Sequence, residues 1–197
     1  MMTNSTVKQF KCILCERSDI RGFIEKHHYS KNINGCIADY CFALCDKDEM
    51  IGAAFFGRMA MPNQWKRFSD TADDITELRR LVCIDDTPKN TESYFIGAML
   101  RWLKKNTNLR LVVSYSDLEY GHGGTIYKAS NFKCLGISAG AKVIMYEGKR
   151  YHDKSIRTKY KGKLKPFAKR LKDALDSGSA FYKTTKGKNT YIYSLRN

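Results

Sequence analysis

Two apolar runs, Cys36–Cys45 and Met50–Met59, are separated by only Asp46-Lys-Asp-Glu49. Four polar residues can reverse a chain, and the two runs look like an antiparallel hairpin. The rest of the chain has to be arranged around that frame. Before it, Gln9–Cys15 reads as a short strand, and Ser18 or Asp19 caps a helix to about Tyr29. Asn32-Ile-Asn-Gly35 is a turn signal. After the hairpin, Met61–Asp73 reads as a loop with Pro62 and an isolated Trp65, and Ile75–Ile84 as a central strand. Pro88 and Asn90 precede an amphipathic helix from about Thr91 to Lys105, with Phe95, Met99 and Trp102 or Leu103 on one face. Leu109–Ser114 is an apolar, buried strand, Gly121-His-Gly-Gly124 a tight loop and Thr125–Ser130 a short helix. Phe132–Leu135 and Val143–Tyr146 are expected to close the sheet. Beyond Gly148 the apolar periodicity fades and a basic tail begins. The sum is an α/β (α+β) chain with a mixed, mostly antiparallel sheet flanked by helices.

Charge divides the chain more sharply than hydropathy does. The net charge is +15, yet residues 149–197 hold fifteen Lys/Arg against three Asp/Glu, +12, and residues 1–148 only +3. Residues 1–148 are therefore read as a catalytic domain, and 149–197 as a basic extension packing on it. Tyr151, Tyr160, Phe167, Tyr182, Tyr191 and Tyr193 interleave with that charge, a composition suited to a phosphate backbone with stackable bases. A solvated helix face is the plainer explanation of such a run. Charge this one-sided favours a polyanion partner without separating DNA from RNA. No apolar run reaches the ~18 residues of a membrane span, and Met1–Lys8 is polar, so a cytoplasmic protein without membrane association is expected. Seven cysteines, an odd number among apolar neighbours, fit reduced thiols. Cys12-x-x-Cys15 lacks a second metal-ligand pair at finger spacing.

Three stretches carry candidate chemistry. His27-His28-Tyr29-Ser30, at the expected end of the first helix, puts an acid/base group beside a phenol, although histidine also simply caps helix C-termini. In Glu77-Leu-Arg-Arg-Leu81, strand alternation sends Glu77 and Arg79 to one face, Leu78 and Arg80 to the other. A buried arginine there needs a carboxylate or phosphate, and an internal Glu77–Arg79 or Arg80–Asp pair would satisfy it. The densest stretch is Ser114-Tyr-Ser-Asp117, Gly121-His-Gly-Gly124 and Thr125-Ile-Tyr127, directly beyond the apolar strand. Ligands gather beyond strand carboxyl ends, glycines allow close backbone approach, and Asp117 and His122 suit an orienting carboxylate–imidazole pair.

The block Ser114-Tyr-Ser-Asp-x3-Gly-His-x-Gly-Thr-Ile-Tyr-Lys-Ala-x-Asn-Phe132 resembles the signature of the Mom family of phage DNA-modification proteins. Glu77-Leu-Arg-Arg-Leu81 with Pro88-Lys-Asn-Thr-Glu-Ser93 is similar to the preceding family block. His28-Tyr29 is similar to the amino-terminal one, and Gly148-Lys-x-x-His152 with Ser155 to the carboxyl-terminal one. The resemblance spans about residues 20–195. It implies a GNAT-like acyltransferase fold, which the element order also resembles. It implies conversion of adenine in double-stranded DNA to its N6-carbamoylmethyl (acetamido) form, shielding phage DNA in the host cytoplasm from restriction. Carried over position by position, it implies active-site roles for His28, Tyr29, Arg80, Ser93, Asp117 and Tyr127. His122 is added from the residues themselves. Val82 stands where the family is often aromatic, so no stacking role is expected there.

The donor is a separate question. GNAT enzymes cradle the CoA pyrophosphate in a glycine-rich loop, whereas Asp85-Asp-Thr-Pro-Lys-Asn-Thr-Glu92 has no glycine and three acids. Acyl-CoA is thus less expected than a glycyl or other aminoacyl group borne on tRNA. Iron held by Tyr29, His28 or Asp117 is a further candidate. Two other readings stand beside the leading one. One is a non-catalytic nucleic-acid-binding protein on a degenerate GNAT scaffold, the other a transferase acting on protein or small molecules.

Overall fold

The computed structural model describes residues 6–61 and 63–196; Pro62 of the expected loop, the first five residues and Asn197 lie outside them. In chain order the elements are β1 (Lys11–Cys15), α1 (Arg17–His27), β2 (Tyr40–Asp46), β3 (Glu49–Gly57), β4 (Ile75–Cys83), α2 (Thr91–Asn106) and β5 (Leu111–Asp117). Then follow α3 (Thr125–Ala129), β6 (Lys133–Ile137), β7 (Lys142–Tyr146), β8 (Lys149–His152), β9 (Lys159–Tyr160), β10 (Lys163–Leu164), α4 (Pro166–Asp176), β11 (Ala180–Thr184) and β12 (Lys188–Ser194). They divide into two compact units. The first comprises residues up to Ser116, Gly124–Gly136 and from Thr190 on; the second comprises Asp117–Gly123 and Ile137–Asn189.

The first unit is built on a seven-stranded sheet in the order β1-β2-β3-β4-β5-β12-β6. The expected hairpin is there: β2 and β3 pair antiparallel, with β1 and β4 antiparallel on either side. Period-two alternation buries both faces. Phe42, Leu44, Ala54 and Phe56 join Phe95, Met99 and Leu103 of α2 in one core. Ala43, Ala53 and Phe55 join Ile20 and Ile24 of α1 in another. Helix α1 begins with a capping box in which Glu16 and Asp19 exchange bonds, a few residues ahead of the expected Ser18 or Asp19 cap.

Two features of this sheet position the site. Strands β4 and β5 are parallel, but their pairing stops at Leu78↔Ser114 although β4 runs on to Cys83, so the strands part at their carboxyl ends. The register of β3 against β4 also shifts between Phe55 and Phe56, where Phe55 opposes Arg80 and Phe56 opposes Leu78. Arg79 is the extra residue of this bulge. Phe55 and Phe56 belong to opposite cores, so the bulge turns Arg80 to the α1 face while Leu78 stays on the α2 face. Simple alternation, which placed Leu78 and Arg80 together, fails at this point.

The second unit has a three-stranded sheet, β11-β7-β8, with α4 packed over it through Leu171 and Ala174 against Ile144 and Ala180. A short β9–β10 hairpin precedes α4. The expectation that Val143–Tyr146 would close the main sheet is corrected: β7 belongs to this smaller sheet, and β12, inside the basic tail, pairs next to β5. The tail is therefore structured. Tyr191 and Tyr193 pack in the first unit's core, and Tyr151 packs tilted against Phe167 at 5.2 Å, so these four rings are not free for bases. Tyr160 and Tyr182 remain exposed. All seven cysteines are free thiols. No helix among the described residues is long and apolar enough to cross a membrane.

Candidate active site

In the first unit the site begins where α1 ends. His28 is the C-cap, its N–H donating to the Ile24 carbonyl at 2.9 Å, and its side chain is buried. Ser30 N–H donates to His28 Nδ1 at 3.1 Å, and Ser30 Oγ lies 2.8 Å from the same nitrogen. Arg80 Nε donates to Ser30 Oγ at 3.1 Å and to the Asn32 carbonyl at 3.4 Å. The chain Arg80–Ser30–His28 makes Nδ1 an acceptor, so the neutral ring carries its proton on Nε2. The Tyr29 ring lies tilted against His28, centroids 4.3 Å apart, and is nearly half exposed. The sequence thus brings His28, Tyr29 and Arg80 together. Ser30 and Asn32, which join them, carried no separate signal.

Tyr127 of α3 is buried beside Tyr191 and Phe132, with centroids at 5.0 and 5.6 Å. Burial pushes its phenol up to about 12; a hydrogen bond with Ser114 opposes that rise, and Tyr29, Tyr191 and Glu77 add to it. Glu77 is buried on β4, accepting from Ala60 N–H at 3.2 Å and standing 3.7 Å from Arg79 Nε. The plain reading of Glu77 and Arg79 as an internal pair is what the structure contains. Tyr115, which accepts from Gln64 Nε2 at 2.8 Å, is likewise pushed up to about 12 by burial and by Glu77. Glu77, Tyr115, Ser114 and Tyr127 gather where β4 and β5 part. Glu77 and Tyr115 lie inside the quoted motifs, yet their joint position follows from the parting of strands. Ser93 turns back on its own helix, Oγ donating to the Asn90 carbonyl at 3.0 Å in the first turn of α2.

In the second unit Asp117 is buried, with Oδ1 accepting from Glu119 N–H at 3.0 Å and Oδ2 3.1 Å from Lys188 Nζ. The carboxylate–imidazole pairing expected with His122 is replaced by these partners. His122 reaches Asp117 through its backbone N–H on the Asp117 carbonyl at 3.3 Å, and its ring stacks on Tyr120. Lys188, far along the chain in a lysine-rich stretch, gave no sequence signal. The glycine loop is also reassigned in part. A Cβ at Gly124, whose φ is +74°, would meet the Tyr191 ring, so this glycine makes room for a tyrosine.

The loop between β4 and α2 carries no glycine and is acidic, which weighs against a CoA pyrophosphate there. Thr87 and Thr91 hydroxyls are spent on the Ile84 and Pro88 carbonyls, and Thr91 N–H also donates to Pro88. Asp85 and Asp86 line a cavity of about 760 Å³ together with Asp19, Glu49, Lys26 and His27, an excess of carboxylates that repels an anion. Among the described residues no three His, Cys, Asp or Glu side chains converge as a metal site.

A mixed, mostly antiparallel seven-stranded sheet, with helices on both faces and the parallel β4–β5 pair that parts, defines a GNAT-like acyltransferase fold. Solved structures agree. Spermidine/spermine N-acetyltransferase SpeG from Vibrio cholerae superposes with a TM-score of 0.53 at 12% identity, over 96% of this chain and 94% of that one. A probable acetyltransferase from Staphylococcus epidermidis gives 0.53 at 12%, covering 94% and 98%. Arabidopsis thaliana NAA60, solved with acetyl-CoA, gives 0.53 at 10%, also covering 94% and 98%. Within that fold the chain belongs to the Mom protein family, whose model matches residues 9–197. The methylcarbamoylase Mom of Escherichia phage Mu is 28% identical over 136 residues, 68% of this chain and 56% of the phage Mu protein.

Proposed function

We propose that this protein is a phage DNA-modification transferase that places a carbamoylmethyl group on the N6 amine of adenine in double-stranded DNA, protecting that DNA from restriction. The observation that carries this reading is Tyr127, buried against Ser114 where β4 and β5 part, in a chain of the Mom family. A phenol raised to about 12 stays protonated at neutral pH, so it can donate a hydrogen bond to an oxygen that gains negative charge during transfer. His28, held through Nδ1 by Ser30, is the adjoining imidazole of the site. Tyr29 supplies a ring on which an adenine flipped from the duplex can pack. Asp117, in the second unit, is proposed separately as a reaction residue from its place in the family signature.

The acidic β4–α2 loop favours a donor other than acyl-CoA. A glycyl group carried on tRNA contains both carbons and the nitrogen of the added group. Direct acyl transfer breaks the aminoacyl ester, forms an N6–carbonyl bond and releases the tRNA hydroxyl with the N6 proton, giving N6-glycyl adenine. Its carbamoylmethyl isomer is reached without oxidation when the N6–carbonyl and CH2–NH2 bonds are exchanged for N6–CH2 and carbonyl–NH2 bonds. Nucleoside mass spectrometry on DNA from cells expressing the protein, fed glycine labelled at carbon and nitrogen, tests both claims. A modified adenine carrying both labels is expected. Modified adenine without label would remove glycine as the source. Unmodified adenine beside abundant, DNA-bound protein would favour the non-catalytic binder.

A further inference from the structure

From Lys154 to Lys172 the second unit carries nine Lys/Arg and no Asp/Glu. Within that stretch, residues 158–165 read Thr-Lys-Tyr-Lys-Gly-Lys-Leu-Lys and form the β9–β10 hairpin. Tyr160 lies opposite Lys163 and Lys159 opposite Leu164, and Lys165 N–H closes the ribbon on the Thr158 carbonyl at 2.9 Å. Lys161 and Gly162 form the two-residue loop with φ of 47° and 78°, the left-handed pair that a tight, right-twisted hairpin requires. Ile156 before the ribbon and Phe167 after it are both packed in the second unit's core. The hairpin is thus a short projection held at both ends, and its shape is set before any partner arrives.

Its side chains are arranged for more than solubility. Tyr160 is 66% exposed, while Tyr151 a few residues earlier is packed on Phe167. Directly paired residues of an antiparallel ribbon share a face, so Lys163 stands beside Tyr160. The Lys161 ammonium lies 5.6 Å from the ring centroid. One flat ring among cations at every second residue matches the two features of a nucleic acid, a stacked base and the phosphates around it. A two-stranded ribbon also has the cross-section that the major groove of a DNA duplex admits.

We propose that the β9–β10 hairpin is a DNA-contacting finger. Lys159, Lys161 and Lys163 neutralise phosphates while Tyr160 packs its ring against a base of the duplex. This rests on the DNA reading above and adds the element and the residue that make the contact. The test uses the full-length protein and a short duplex, with anisotropy titrations at several salt concentrations. Tyr160→Ala is expected to weaken duplex binding by about 5- to 150-fold, the range for losing one base–aromatic stack, with little change in salt slope. Tyr160→Phe, which keeps the ring, recovers most of that loss. Replacing Lys159, Lys161 and Lys163 by alanine lowers the log–log salt slope by about 0.9 per lysine. All four positions are exposed, so melting temperature stays at the wild-type value. Wild-type affinity in Tyr160→Ala and an unchanged slope in the lysine variant would overturn the finger and leave DNA binding elsewhere on the protein. Losses seen with tRNA but not with the duplex would overturn the DNA assignment. A wild-type protein that fails to bind duplex would overturn both the finger and the DNA reading.

Discussion

Replacing Gly124 by alanine separates two reasons for a glycine at that position. Its φ of +74° places any side chain in the left-handed region, at about 1–2 kcal/mol for a single residue. The added methyl also meets the hydroxyl and ring of Tyr191, which is 1% exposed and packed against Tyr127, so it cannot swing aside into solvent. Overpacking of that kind costs about 1–3 kcal/mol. The sum, roughly 2–5 kcal/mol, is a large part of the stability of an ordinary domain. Gly35 of the same unit is the control: its φ is +71° with nothing within 4 Å of a Cβ, so Gly35→Ala meets only the backbone cost. Urea unfolding of the two variants should therefore differ by about 1–3 kcal/mol. In a Tyr191→Leu background most of that difference should vanish, because the two changes share one contact. Equal unfolding midpoints for the two alanine variants would refute the claim that Gly124 exists for Tyr191. They would also return the loop to a ligand-binding role.

Three further outcomes follow from the geometry. Tyr127→Phe should lower adenine modification by about 10²–10³-fold, the usual loss for one transition-state donor, while melting and DNA affinity hold; full modification would remove it from the reaction. Asp117→Asn should reduce modification at near-normal stability, and an equal reduction in Lys188→Met would mark the Asp117–Lys188 pair as structural. Alkaline stability follows from thiols and a phenol whose folded values lie above their unfolded ones: Cys12 and Cys83 rise from 9.0 to about 12, and Tyr127 from 10.0 to about 12, mainly by burial. These groups favour the folded state fully below pH 9.0 and lose that contribution as pH rises toward about 12. Denaturant midpoints should thus hold up to about pH 9 and then fall; a Cys12→Ala, Cys83→Ala variant should show a shallower fall between pH 9 and 10.

Much of the first unit was legible because its signals are local. The four-residue gap between β2 and β3, the apolar stripe of α2 and the polar end of β5 each follow from short-range pattern. So does the grouping of His28 and Tyr29, adjacent at one helix end. What escaped depends on long-range or irregular backbone. The bulge at Arg79 reverses which face Arg80 occupies, and no propensity marks a bulge in Glu77-Leu-Arg-Arg-Leu81. Asp117 finds Lys188 across 71 positions, where every neighbouring lysine is an equal candidate on paper. The tail reads as a basic extension packing on the domain, and its charge hides a strand: Thr190-Tyr-Ile-Tyr193 is β-branched and aromatic, yet it follows a lysine-rich run. Cutting the chain near Gly148 would therefore remove β12 from the main sheet, and loss of DNA binding after such a cut would report unfolding as much as lost charge.

The position of β12 also sets a schedule. Strand β5 carries Ser114 and Tyr115, and its neighbour on one side is β12. On a ribosome adding roughly 5–20 residues per second, β1 to β5 emerge and can pair well before residues 188–194 exist. During that interval β5 is an open edge, and β6, which lies beyond β12, has no strand to join. Tyr191 is likewise missing from beside Tyr127, so the tyrosine at the centre of the proposed chemistry lacks one wall of its pocket. A nascent chain therefore lacks this arrangement, and the proposed chemistry becomes available only after residues 188–194 have been translated.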